Sequence, residues 1–213
     1  MENTKKNKLS TLTLAQVSVI IAITFVMHFS GLGYPRIGPV SMSIMFVPVT
    51  IGAAILGPAW GAFFGFVFGL TSFIECFRGD FLGTLLFGIN PVFCAIVCFL
   101  PRTIMGYLVG LIFKLTNSKL NGKAKAASYV ITGFSAPFLN TVFFMVALLI
   151  LFYNNDEFMA NEVIAGIAAN RNFITFAAAF VGFNALVEWA VGTVVSSALI
   201  KGVYVAVSRI KRG

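Results

Sequence analysis

The chain has 213 residues, 59% of them hydrophobic and 10% charged, with a mean hydropathy of +0.95. A water-soluble domain of this size cannot keep that balance on its surface, so lipid is the expected solvent. The net charge of +8 is spread beside apolar segments rather than gathered in one patch, which argues against a nucleic-acid partner and reads as membrane topology.

A spanning helix takes about 20 apolar residues at about 1.5 Å each. The sequence therefore predicts one all-α integral membrane domain over residues 1–213, with six transmembrane helices and both termini cytoplasmic. Lys5, Lys6 and Lys8 precede a first apolar run at 12–30, which is too long for a signal peptide and lacks a small-residue cleavage site. A breaker-rich loop from Gly31 to Pro39 follows, then a second run at 40–56 that stops at the Gly57-Pro58 turn. The third span, 59–76, carries Gly61, Gly65 and Gly69 at four-residue spacing, a ridge over which another helix backbone can approach closely. A mixed outer segment, 77–90, leads to the fourth span at 91–113, where Pro101 predicts a kink. The fifth and sixth spans are placed at 126–153 and 173–200, joined by an outer loop that opens with Asn154-Asn155-Asp156-Glu157.

The basic residues agree with this layout. Lys5, Lys6, Lys8, Lys114, Lys119, Lys123, Lys125, Lys201, Arg209, Lys211 and Arg212 fall on one side, eleven of the fifteen. Arg36, Arg78 and Arg171 fall on the other, together with Asp156, Glu157 and Glu162. Cytoplasmic loops carry the Lys/Arg excess, so the first side is inside.

Polar side chains deep in spans carry the functional reading, because a charge there costs at least about 2.5 kcal/mol and marks a partner or a site. Arg102 lies about 18 Å from the cytoplasmic edge, counted at helical rise from Lys114; Glu188 lies about 20 Å from Lys201 and Asn140 about 22 Å from Lys125. An arginine, a carboxylate and an amide from three helices therefore share one depth. Asn184 sits four residues before Glu188, on the same helix face, and Thr141, Thr71, Ser72 and Glu75 add hydrogen-bonding groups. Two readings remain open. Arg102 and Glu188 neutralise each other and lock helix packing in a membrane scaffold, or Arg102 presents its planar fork to the carboxylate or phosphate of a small ligand held by the amides.

His28, the one histidine, is expected as an interfacial side chain at the outer end of the first span. Cys76, Cys94 and Cys98 are odd in number and are read as small hydrophobes rather than disulfide or metal ligands. No phosphate-cradling Gly-rich loop with Lys-Ser/Thr is present, so this chain does not power transport by itself. No zinc-protease, serine-hydrolase or Cys-His pattern appears either, which argues against an enzyme; no cofactor is expected.

Three segments stand out: Val47-Pro48-Val49-Thr50-Ile51-Gly52-Ala53 with Leu56-Gly57-Pro58, Gly65-Phe66-Val67-Phe68-Gly69-Leu70-Thr71-Ser72, and Leu100-Pro101-Arg102 with Gly106 and Gly110 before Phe113-Lys114. They resemble the substrate-binding S component of energy-coupling factor (ECF) vitamin transporters of bacterial cell membranes. Asn140-Thr141 and Asn184 with Glu188 complete the pattern, and Leu70-Thr71-Ser72 with Pro101-Arg102 looks most like the pantothenate-type branch. The resemblance implies a small vitamin as ligand, a transmembrane coupling subunit and two cytoplasmic ATPases as partners, and a loop at Gly31 to Pro39 that covers the ligand. It also implies docking through small residues of the first helix, here Ser18 and Ala22, where the first position departs from the usual alanine.

Overall fold

The computed structural model describes residues 10–35, 43–120, 125–167 and 173–210, without the side chains of residues 167, 173–184, 205 and 208–210. Lys5, Lys6, Lys8, Arg36, Lys123, Arg171, Lys211 and Arg212 lie outside the described residues, as do the side chains of Asn184 and Arg209. Nine helices are described: α1 (Thr11–Phe29), α2 (Phe46–Leu56), α3 (Pro58–Glu75), α4 (Phe81–Ile89), α5 (Pro91–Lys119), α6 (Lys125–Phe152), α7 (Asp156–Ala160), α8 (Glu162–Ile167) and α9 (Phe173–Ile210). No strand occurs among the described residues.

Local chemistry sets the helix ends. Ser10 caps α1 by accepting from the Thr13 N–H, and Asp80 caps α4 by accepting from Gly83. At two junctions a cap is followed by proline at the first helical position, where its missing N–H removes nothing. Asn90 accepts from Val92 and Phe93 ahead of Pro91. Gly57, at φ +95°, ends α2 and admits Pro58 into α3, a backbone conformation that residues with a Cβ rarely adopt.

Among the described residues, Thr11–Phe29, Pro91–Lys119, Lys125–Phe152 and Ala185–Tyr204 are long and apolar enough to cross a membrane. Their outward faces are oily: Val26, Phe29, Leu186, Val194 and Ile150 are all more than 60% exposed. The polar side chains turn inward instead, with Thr24, Thr50, Thr71, Arg102, Ser128 and Asn140 buried. That inversion of the water-soluble pattern is what lipid demands.

The glycine ridge of α3 meets α5. A Cβ on Gly61, Gly65 or Gly69 would fall within 3 Å of the Gly106, Arg102 or Cys98 carbonyl respectively, so the two backbones touch along an antiparallel seam. Helix α6 packs antiparallel on α9 in a similar way, with Gly133 under the Thr193 carbonyl and Ser197. Helix α2 lies in the middle, against α1, α3, α5, α6 and α9.

Four elements differ from the sequence expectation. The second apolar run is helical only from Phe46, because Ser43 and Ile44 run outside the helix and the Ile44 N–H donates to the Gly33 carbonyl. Non-helical backbone at that place is protected, since Met45 and Phe46 are fully buried. The segment 77–90 contains α4, whose Leu82 and Leu86 pack on the α5 and α6 side chains. Helices α5 and α9 run to Lys119 and Ile210, beyond the 113 and 200 expected for the spans; a helix can outlast its apolar stretch once its carbonyls are bonded internally. His28 is not an interfacial side chain. It is 1% exposed, edge-on to Phe29 and Tyr34, with Nδ1 3.3 Å from Glu75.

Candidate ligand cavity

The end of the bundle that carries α4 holds a cavity of about 130 Å³. A single water needs about 10–15 Å³ of such space, so there is room for on the order of ten waters or a small organic molecule. Its walls come from the loop at Tyr34 and Ser43, from the last turn of α3, and from α4, α5, α6 and α9.

Arg102 is the deepest charge, 7% exposed. Its position follows from the residue before it. Pro101 has no N–H, so the Val97 carbonyl four residues earlier loses its helical donor. The Arg102 guanidinium supplies the replacement, donating from Nη1 to the Val97 carbonyl. Phe68 and Phe144 place their rings 5.5 and 5.0 Å from the guanidinium carbon, a cationic slot lined with aromatic faces.

Arg102 and Glu188 do not form an ion pair; the ion pairs among the described residues are those of Glu75 with His28 and Arg78. Arg102 and Glu188 remain within Coulombic reach of each other, without direct contact. The Glu188 carboxyl instead lies near the Ser43 backbone and the Asn140 side chain. Arg102 Nε, Asn140 Oδ1, Glu188 Oε1 and Ser43 Oγ are all buried without a hydrogen-bond partner, and all four residues line this cavity. Each such orphan costs about 1–3 kcal/mol, which a bound polar molecule can recover.

The other expected site residues divide. Ser72, Thr141 and Glu75 line the cavity, although Glu75 is already engaged by His28 and, at 3.2 Å, by Arg78. Thr71 does not line it: its hydroxyl donates to the Phe68 carbonyl at 2.8 Å and lies 3.0 Å from the Tyr34 hydroxyl. Since Thr71 has spent its one proton, Tyr34 donates to it and keeps its oxygen lone pairs for the cavity. Burial pushes the Tyr34 phenol up, so it stays protonated. The Asn184 side chain lies outside the described residues. Ser18 and Ala22 are exposed on the outer face of α1, away from the cavity.

Sequence reasoning missed Tyr34, Ser43, Phe144 and the three cysteines as wall residues. Tyr34 carried a signal, as the one phenol in a breaker-rich loop. Ser43 and Phe144 carried none, because their role depends on which helices neighbour one another.

The family model described as "ECF transporter, substrate-specific component" matches residues 12–201. The chain is also 26% identical over 179 residues to a protein of Lactococcus lactis subsp. cremoris named pantothenic acid transporter PanT, covering 79% of this chain and 87% of that protein.

Proposed function

Because the chain belongs to the substrate-specific component family of ECF transporters, we propose that it is the membrane-embedded binding subunit of a vitamin importer and that its ligand is pantothenate. The observation that carries the reading is the set of four unpartnered polar groups around one cavity. Pantothenate has one carboxylate, two hydroxyls and an amide. Arg102 offers its free Nε–H edge to the carboxylate, while Asn140, Glu188, Ser43 and the Tyr34 oxygen meet the hydroxyls and the amide. Leu82, Leu86, Val97 and Met145 provide the apolar wall for its branched carbon skeleton. The pantothenate transporter name of the lactococcal relative supports this choice among vitamins.

Six spans with both termini inside accord with the basic residues, and put the cavity near the outer face. Capture is from outside. Release inward requires a transmembrane coupling subunit and two ATPases, since this chain has no nucleotide-binding loop. Ser18 and Ala22 present small exposed side chains on α1 where the coupling subunit docks.

Detergent-purified protein titrated with pantothenate by calorimetry tests the reading. Saturable one-site binding that is weakened at least about tenfold in Arg102→Ala, with that variant still monodisperse, is the expected result. A co-purified or titrated ligand lacking any anionic group would overturn the role of Arg102.

A further inference from the structure

The three cysteines come from two helices and meet at one point. Cys94 and Cys98 are four residues apart on α5 and share a face, and Cys76 closes the end of α3 opposite them. Their exposures are 0%, 5% and 4%. The Cys76 Sγ lies 3.6 Å from that of Cys94 and 3.9 Å from that of Cys98, and the three sulfurs lie within 4.8 Å of one another. All three are free thiols and all three line the cavity wall.

Three thiolates at about 2.3 Å from one ion, the ordinary metal to sulfur length, stand about 4 Å apart when the ion is in their plane. The Cys76–Cys94 and Cys76–Cys98 separations match that spacing, and the third pair lies within 4.8 Å. No histidine or carboxylate belongs to the cluster among the described residues, and the thioether of Met145 lines the same cavity. The donor set is therefore soft and three-coordinate, which selects a thiophilic ion such as Cu(I) over Mg(II), Ca(II) or a four-coordinate Zn(II). The positive guanidinium of Arg102 is within Coulombic reach of Cys94 and Cys98 and offsets one of the two negative charges that three thiolates around Cu(I) carry once their protons have left to solvent. Ordinary packing of small hydrophobes asks for burial but not for three sulfurs in mutual contact on the wall of a polar cavity.

We propose that Cys76, Cys94 and Cys98 form a trithiolate site for a soft, thiophilic metal ion beside the ligand cavity. Each coordinating thiol gives up its proton and the ion keeps its oxidation state. The site is independent of which vitamin the cavity takes.

The test is anaerobic titration of the purified full chain in detergent, without vitamin, with Cu(I) held by a chromophoric chelator. One Cu(I) taken per chain, a sulfur-only shell by X-ray absorption, and loss of that uptake in Cys76→Ser, Cys94→Ser and Cys98→Ser taken singly are the expected results. Thermal unfolding of each variant separates loss of the site from loss of the fold, and alanine replaces serine where the hydroxyl unfolds the chain. Failure of the wild type to take Cu(I) from the chelator, retention of full uptake after loss of any one cysteine, or a shell containing nitrogen or oxygen overturns the proposal.

Discussion

Arg102 shows how one residue can be placed by the defect of its neighbour. A charged hydrogen bond to a buried partner contributes about 1.5–3 kcal/mol, so Arg102→Ala is expected to weaken ligand binding by roughly 10- to 150-fold in calorimetry. Arg102→Lys is expected to restore little of it, because an ammonium cannot serve the Val97 carbonyl and a ligand with one planar fork. Pro101→Ala separates tethering from charge. It returns an N–H to the Val97 carbonyl and frees the guanidinium, with an expected loss of affinity of roughly two- to tenfold and no loss of thermal stability. An equal drop in melting temperature would show that Pro101 acts on the fold instead. The depth of Arg102, Asn140 and Glu188 was legible from helical rise alone. The Val97 tether and the orphaned Ser43 were not, since neither depends on depth.

At the scale of elements, the seam between α3 and α5 couples packing to the site, because a Cβ on Gly65 would lie within 3 Å of the backbone carbonyl of Arg102 itself. Gly65→Ala is expected to destabilise the protein by about 1–3 kcal/mol through overpacking, and to weaken ligand binding by moving Arg102. Gly202→Ala is its counterpart on α9. With open space around that position, it is expected to be neutral or to stabilise by about 0.5–1 kcal/mol, both read from thermal unfolding in detergent. The four-residue glycine spacing announced a close approach, but the partner helix was not written in it. Similarly, the apolar run at 40–56 looked continuous, although pairing of Ile44 with Gly33 shortens its helix to eleven residues. On α1, Ala22→Leu is expected to leave ligand binding intact and to abolish uptake by cells, the signature of a lost docking contact.

For the molecule as a whole, the distribution of Lys and Arg makes a directional claim. Ser118→Cys and Glu157→Cys place exposed thiols at opposite ends of the bundle, while the native cysteines are buried. A membrane-impermeant maleimide added to intact cells is expected to label Glu157→Cys, and Ser118→Cys only after permeabilisation. The reverse pattern would invert the topology and turn the cavity inward.

Composition and periodic hydrophobicity determined the solvent, the helical class and the level at which polar groups sit, because each helix crosses oil on its own and advances a fixed rise per residue. Tertiary structure decided which of those groups face one another. Rotation about each helix axis and the choice of neighbours are settled by side-chain contacts between segments far apart in the chain, such as Phe144 against Arg102 and Cys76 against Cys94. Those contacts made a cavity out of a shared depth, kept Arg102 and Glu188 short of a direct salt bridge, and brought three thiols that the sequence presents as scattered hydrophobes into a single cluster.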